Sequence, residues 1–172
     1  MQNHPKLTIR RVPWGNPVGR DLRAAQQAEL AARRGGTAAG EMAHDAGDPP
    51  SSAELAVFLI AYERATGQPL GCGGLRWLDR GTAEVRRVYV LPYARGAGIA
   101  SSVLLALEAE AHDAGITLVM AEAGSAQPDG KMFYEAAGYR RVPNFGPYQE
   151  LEDSICYAKP VMAPVRAHAV AG

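Results

Sequence analysis

A surplus of charge is the first thing this sequence lacks. Eighteen Lys and Arg offset eighteen Asp and Glu over 172 residues, and the formal net charge is zero. Proteins that grip nucleic acid or acidic membranes draw on excess basic charge, so neither partner is expected. No apolar run reaches the ~18–20 residues that span a bilayer, and no basic segment followed by an apolar one opens the chain. Cysteine is scarce. Cys72 and Cys156 sit in apolar stretches, without the spacing of a disulfide framework or a redox pair. The four histidines are scattered, and no His, Cys, Asp and Glu set has metal-ligand spacing, so no metal is expected. These absences read as a cytoplasmic protein with reduced core cysteines. The length suits one domain with a proper core.

The hydrophobic pattern divides this domain into elements. Leu7 to Val12 reads as a strand, and Val18 to Arg34 as a helix ended by Gly35-Gly36. Gly35 to Ser52 is poor in apolar residues and reads as a loop or frayed helix, in which Glu41, His44, Asp45 and Asp48 could meet a positive charge. Ala56–Tyr62, Leu70–Leu78 and Thr82–Val90 are expected as an antiparallel meander. A helix over Gly98–Ala114 follows, with Ile99, Val103, Leu104, Leu107 and Ala111 as its buried stripe and Gly115 as its cap. Ile116–Glu122 returns as a strand parallel to Thr82–Val90. A helix from Gln127-Pro128-Asp129 to Gly138 and a closing pair, Tyr139–Val142 with Ile155–Lys159, complete the domain at residue 160. Residues 161–172 carry no pattern and read as a disordered tail.

Between strand and helix lies the most informative stretch, Val88 to Ser101. A glycine-rich loop leading into a helix presents backbone N–H groups to an anion, and Arg95 stands at its entrance as a fork of donors. A Walker loop is excluded, because no Lys-Ser or Lys-Thr follows the glycines. A dinucleotide-binding loop wants G-x-G-x-x-G directly after its strand. Here Gly96, Gly98 and Ser101 take those positions, with five residues (Leu91 to Arg95) separating Val90 from the first glycine, and Glu122 could play the ribose-binding acid. An acyl-CoA loop of the form R/Q-x-x-G-x-G/A is matched in full by Arg95, Gly98 and Ala100.

Val88-Tyr89-Val90, Pro92, Arg95-Gly96-Ala97-Gly98-Ile99-Ala100 and the helix after them resemble the signature of the GNAT superfamily of acyl-CoA-dependent N-acyltransferases. Phe133-Tyr134-Glu135-Ala136-Ala137-Gly138-Tyr139 resembles the second signature of that family, in the right order and spacing. The resemblance covers roughly Leu7 to Lys159. It implies an α/β GNAT fold: a mixed, seven-stranded type of sheet splayed at its centre, with helices on both faces. It also implies acetyl-CoA as acyl donor and an amine as acceptor, with a small molecule favoured and homodimers common.

Roles follow from the same resemblance. Arg95, Gly96, Ala97, Gly98, Ile99, Ala100 and Ser101 would hold the pyrophosphate, while the backbone of Val88, Tyr89 and Val90 would pair with the pantetheine arm. Tyr134 is the expected general acid, and Gln127 stands where the family carries Asn. Glu84, eleven residues before Arg95, is the candidate base. Strand alternation is expected to put Glu84, Arg86, Val88 and Val90 on one face; a plain Glu84–Arg86 or Glu84–Arg87 pair is the competing reading. Glu41, Phe145 and Tyr148 are the candidate acceptor contacts. A non-catalytic acyl-CoA sensor and a protein-lysine or N-terminal acetyltransferase are the alternative functions.

Overall fold

Runs of buried residues set the sheet, and the computed structural model describes the chain over residues 5–33, 55–124 and 128–161. These residues form β1 (Leu7–Arg11), α1 (Pro17–Arg33), β2 (Val57–Glu63), β3 (Pro69–Trp77), β4 (Thr82–Val90), α2 (Ile99–Asp113), β5 (Leu118–Gly124), α3 (Pro128–Ala136), β6 (Arg140–Val142) and β7 (Ser154–Pro160). The strands join in one sheet of order β1-β2-β3-β4-β5-β7-β6. Every neighbouring pair is antiparallel except β4 with β5. The mixed order excludes the doubly wound parallel sheet of a dinucleotide fold. Glu41 and Gln127 lie outside the described residues, as do residues 162–172. Val161 still bonds through its N–H to Thr117 O, continuing the closing strand by one step.

Both faces of the sheet are apolar, so both are covered. Val57, Leu59, Ala61, Leu75, Ala83 and Val85 meet α2, whose expected stripe of Ile99, Val103, Leu104, Leu107 and Ala111 is buried in full. Phe58, Ile60, Cys72 and Tyr89 meet Leu22 of α1 on the other face. Gly73 lets α2 come close: a Cβ there would lie 2.8 Å from Val103 Cγ1 and 3.0 Å from Leu107 Cδ1.

Two helices end in Schellman motifs, and each explains where the next strand begins. After α2, Gly115 at φ +81 bonds to His112 O while Ile116 N–H reaches back to Ala111 O. Ile116 therefore belongs to the helix cap, and β5 starts at Leu118 rather than at Ile116 as expected. After α3, Gly138 at φ +86 bonds to Glu135 O and Tyr139 N–H to Tyr134 O, so β6 starts at Arg140.

A β-bulge overturns the expected alternation along β4. Gly74 pairs with Arg86 and Cys72 with Tyr89, so one residue of β3 faces both Arg87 and Val88. Arg87 takes φ +58, a left-handed conformation that an arginine adopts only under constraint. The extra residue shifts the parity. Glu84 and Arg86 lie on the α1 face, whereas Val88 and Val90 join the α2 face with Val85.

Candidate active site

The site opens where β4 and β5 part. Their pairing runs only from Thr82↔Leu118 to Val85↔Ala121. Beyond it β4 pairs with β3 alone and β5 with β7 alone. Leu91 N–H bonds to Leu70 O on the β3 side, so the peptide groups of Val88 and Val90 turn into the gap. Side chains meet both carbonyls: Gln26 Nε2 donates to Val88 O at 3.1 Å, and Arg95 Nε donates to Val90 O at 3.0 Å.

The loop after β4 makes one 3-10 turn, Pro92–Ala94, then passes through Gly96 at φ +78 and Gly98 at φ +74. Gly98 caps α2 without a side chain, so the first-turn N–H groups are uncapped by any side chain. A Cβ at Gly96 would meet nothing within 4 Å, so the glycine serves the backbone turn and leaves the space above it open. Val88, Tyr89, Val90, Arg95, Gly96, Gly98, Ile99, Ala100 and Ser101 all line one cleft of about 410 Å³. Ala97 packs toward the core instead. Arg95 does not stand alone: its Nη2 lies 2.5 Å from Glu29 Oε2 on α1.

A second cavity of about 490 Å³ adjoins the cleft, with Glu84, Arg86, Glu122, Tyr134 and Tyr148 in its wall. It shares Gln26, Leu30, Val88, Gly130 and Phe133 with the cleft, so the two chambers meet at the β4 lip. Glu84 is fully buried. Its Oε2 accepts from Arg76 Nη2 at 2.6 Å and Nε at 3.1 Å, and its Oε1 accepts from Tyr148 Oη at 2.7 Å and Arg86 Nη1 at 3.3 Å. Arg86 also donates to the Tyr148 oxygen. Burial, followed by the Glu84 charge, pushes the Tyr148 phenol well above its ordinary range, so it remains a donor to that carboxylate.

Tyr148 reaches this point because Asn144 folds its loop. One Asn144 amide nitrogen donates to Tyr148 O, Leu151 O and Ser154 O at 3.0–3.1 Å. Phe145 packs edge-on against Tyr148, with ring centroids 5.3 Å apart, rather than lining the cavity. Tyr134 is held from three sides. It stacks on Tyr157 at 5.8 Å and meets Tyr139 edge-on at 5.4 Å, and its own carbonyl closes the α3 cap. Burial, then the charges of Glu122 and Glu84, push its phenol far above the usual tyrosine range.

The fold that carries this site is shared with known proteins. The family profile for the acetyltransferase (GNAT) domain matches residues 54–141. The chain belongs to the GNAT family. An "IAA acetyltransferase" from Azospirillum brasilense is 34% identical over 105 residues, which cover 60% of this GNAT chain and 67% of the relative. A Klebsiella pneumoniae structure assigned as an acyl-CoA N-acyltransferase superposes with a TM-score of 0.73 at 26% identity, over 91% of this chain and 98% of that one. A GNAT acetyltransferase from Elizabethkingia anophelis, with acetyl-CoA bound, shares the fold at a TM-score of 0.62 and 16% identity, over 90% and 97% of the two chains. The protein is thus a GNAT-type acyltransferase, an enzyme of a family that uses acetyl-CoA. No helix among the described residues is long and apolar enough to cross a membrane.

In this GNAT enzyme, Gln26, Glu29 and Asn144 stand at the site with no motif to announce them. Gln26 and Glu29 are ordinary helix residues in sequence, and only the packing of α1 brings them to the β4 lip. Asn144 lay in view within a turn-rich loop, but its three carbonyl partners lie four, seven and ten residues further on.

Proposed function

We propose that this enzyme transfers an acetyl group from acetyl-CoA to the primary amine of a small molecule, by direct attack with both substrates bound together. The meeting of two chambers at the Val88 lip carries this reading, since a donor and an acceptor bound in adjoining chambers can meet there. Bound acetyl-CoA supplies the acetyl group, activated as a thioester. The uncapped N-terminus of α2, with Arg95, is suited to hold its pyrophosphate. The Val88 and Val90 peptide groups are suited to pair with its arm, and the Val90 N–H to polarise the thioester carbonyl.

The acceptor occupies the chamber lined by Glu84, Glu122, Tyr134 and Tyr148. Solvent does not reach Glu84, so a proton from the ammonium travels through Tyr148. The Tyr148 oxygen takes the proton and passes its own to Glu84 Oε1, along the 2.7 Å hydrogen bond. Tyr134, kept protonated by burial, delivers its phenolic proton to the departing sulfur. Neither chamber has a cysteine in its wall, and Cys72 and Cys156 are both free and fully buried, with burial pushing the Cys72 thiol up to about 12. This supports direct attack over a covalent acyl-cysteine route.

Thiol release from acetyl-CoA, followed across amino acids, polyamines, aminoglycosides, peptides and IAA, tests the reading. Tyr134→Phe is expected to lower kcat on the responding amine by ~10²-fold or more, the scale of a lost general acid, with CoA binding unchanged. Turnover only on protein lysines or protein N-termini would replace the small-molecule acceptor. Undiminished kcat in Tyr134→Phe would remove Tyr134 from the chemistry.

A further inference from the structure

Four charged side chains from three elements cross the mouth of the donor cleft in alternating sign. Arg95, on the glycine loop, lies 2.5 Å from Glu29 of α1. Glu29 also holds Arg33, one helical turn on, at 2.7 Å. Arg33 Nη1 lies 3.9 Å from Asp129 Oδ2, in the first turn of α3. All four line the cleft where the glycine loop exposes its backbone. Two arginines and an uncapped helix N-terminus make the spot electropositive, and Glu29 is the carboxylate placed between the arginines.

Building on the assignment of this loop to the donor's pyrophosphate, we propose that Glu29 is a displaceable counter-anion of that phosphate site. It holds Arg95 and Arg33 at the cleft mouth and yields both guanidiniums to the phosphates of the incoming donor. Arg33 is then a second phosphate ligand, contributed by α1 rather than by the loop.

Three observations carry this. The Arg95 guanidinium is anchored by its Nε on Val90 O, so its outer nitrogens are the ones free to exchange partners, and Glu29 occupies one of them, Nη2. The side chains of Glu29, Arg33 and Arg95 are 24%, 43% and 39% exposed. Ion pairs in that range hold weakly and are screened by salt. A phosphate offers the same arginines charge-assisted, bidentate bonds and greater negative charge. Arg95 and Glu29 together keep each other charged: the hydrogen bond from Arg95 holds the Glu29 carboxyl below its ordinary range, so the carboxylate stands at the site at neutral pH.

Calorimetric titration of CoA into wild type, Glu29→Gln, Arg33→Gln and Arg95→Gln tests this without turnover. Glu29→Gln is expected to tighten CoA binding ~two- to fivefold, most strongly at low ionic strength, as befits loss of a half-exposed competing charge. Arg33→Gln and Arg95→Gln should both weaken it. Pantetheine, which has no phosphate, should bind wild type and Glu29→Gln alike. Weaker or unchanged CoA binding in Glu29→Gln would overturn the proposal, as would an equal gain for pantetheine. Glu29→Ala, expected to act in the same direction, guards against an effect of the glutamine itself. If Arg95→Gln leaves CoA binding intact, the loop assignment itself is wrong. If Arg95→Gln weakens binding while Glu29→Gln does not tighten it, only the role of Glu29 falls.

Discussion

At the scale of single residues, the site depends on hydrogen bonds that leave little slack. Glu84 is fully buried and has its two oxygens divided between Arg76 on one and Tyr148 with Arg86 on the other. Removing one partner of a buried charged group leaves a desolvated acceptor short of a donor. Tyr148→Phe is therefore expected to lower stability by ~1–3 kcal/mol, a drop of several degrees in Tm for a domain of this size. Thermal unfolding followed by circular dichroism would read it. Much of this was legible in the sequence at the level of residue names. Arg95, Gly96 and Gly98 stand out by type and spacing, because a glycine loop ahead of a helix constrains backbone and charge within a few consecutive positions; Tyr134 stands out only through the second signature segment. The Glu84–Tyr148 bond was not legible. It joins residues 64 apart, through a loop whose shape depends on Asn144 and its three carbonyls.

At the scale of elements, the positions of α2 and β4 are decided by a few residues with unusual backbones or missing side chains. The helix lies on Gly73 and follows directly on the glycine loop, so its depth on the sheet sets the height of the cleft that the loop lines. Gly73→Ala would place a Cβ 2.8 Å from Val103. Overpacking of this kind costs ~1–3 kcal/mol and shifts the neighbouring element. The expected result is lower stability together with weaker CoA binding, measured by denaturant unfolding and by titration; intact binding would mean that α2 tilts without moving its N-terminus. Strand and helix limits followed from the sequence to within two residues, with Thr82–Val90 agreeing at both ends, because periodicity and glycine caps are local signals. The bulge gave no such signal. A left-handed bulge residue is ordinarily Gly or Asn, and here the position is filled by Arg87. Simple alternation consequently put Val88 and Val90 on the wrong face.

At the scale of the whole molecule, the C-terminal half of the core is a tyrosine cluster around the site. Tyr134, Tyr139, Tyr148 and Tyr157 are all buried, and burial is the first cause pushing each phenol above its ordinary value. The native state therefore retains these protons at a pH where the unfolded chain loses them. Stability is fully present below the unfolded phenol range near pH 10 and falls as pH rises through and beyond it. Unfolding free energies measured from pH 8 to 11 should stay level at first and then decline. A flat profile to pH 11 would mean that the cluster opens to water without unfolding. The mixed order of the sheet was legible from the order of strands and the single crossover helix. The extent of the β4–β5 parting was not, since it is a matter of where pairing stops and no residue type marks that point.

The same parting leaves a raw strand edge in the interior of a folded protein. An edge whose carbonyls and N–H groups lack a neighbour is a template for another chain, and proteins ordinarily blunt such edges with charge or cover. Here Gln26 and Arg95 lay their side chains on the Val88 and Val90 carbonyls. They cover this inner edge much as charged side chains cover an outer strand. Gln26 and Arg95 thus bear on solubility as well as on the lip, and substituting either is expected to raise aggregation during expression.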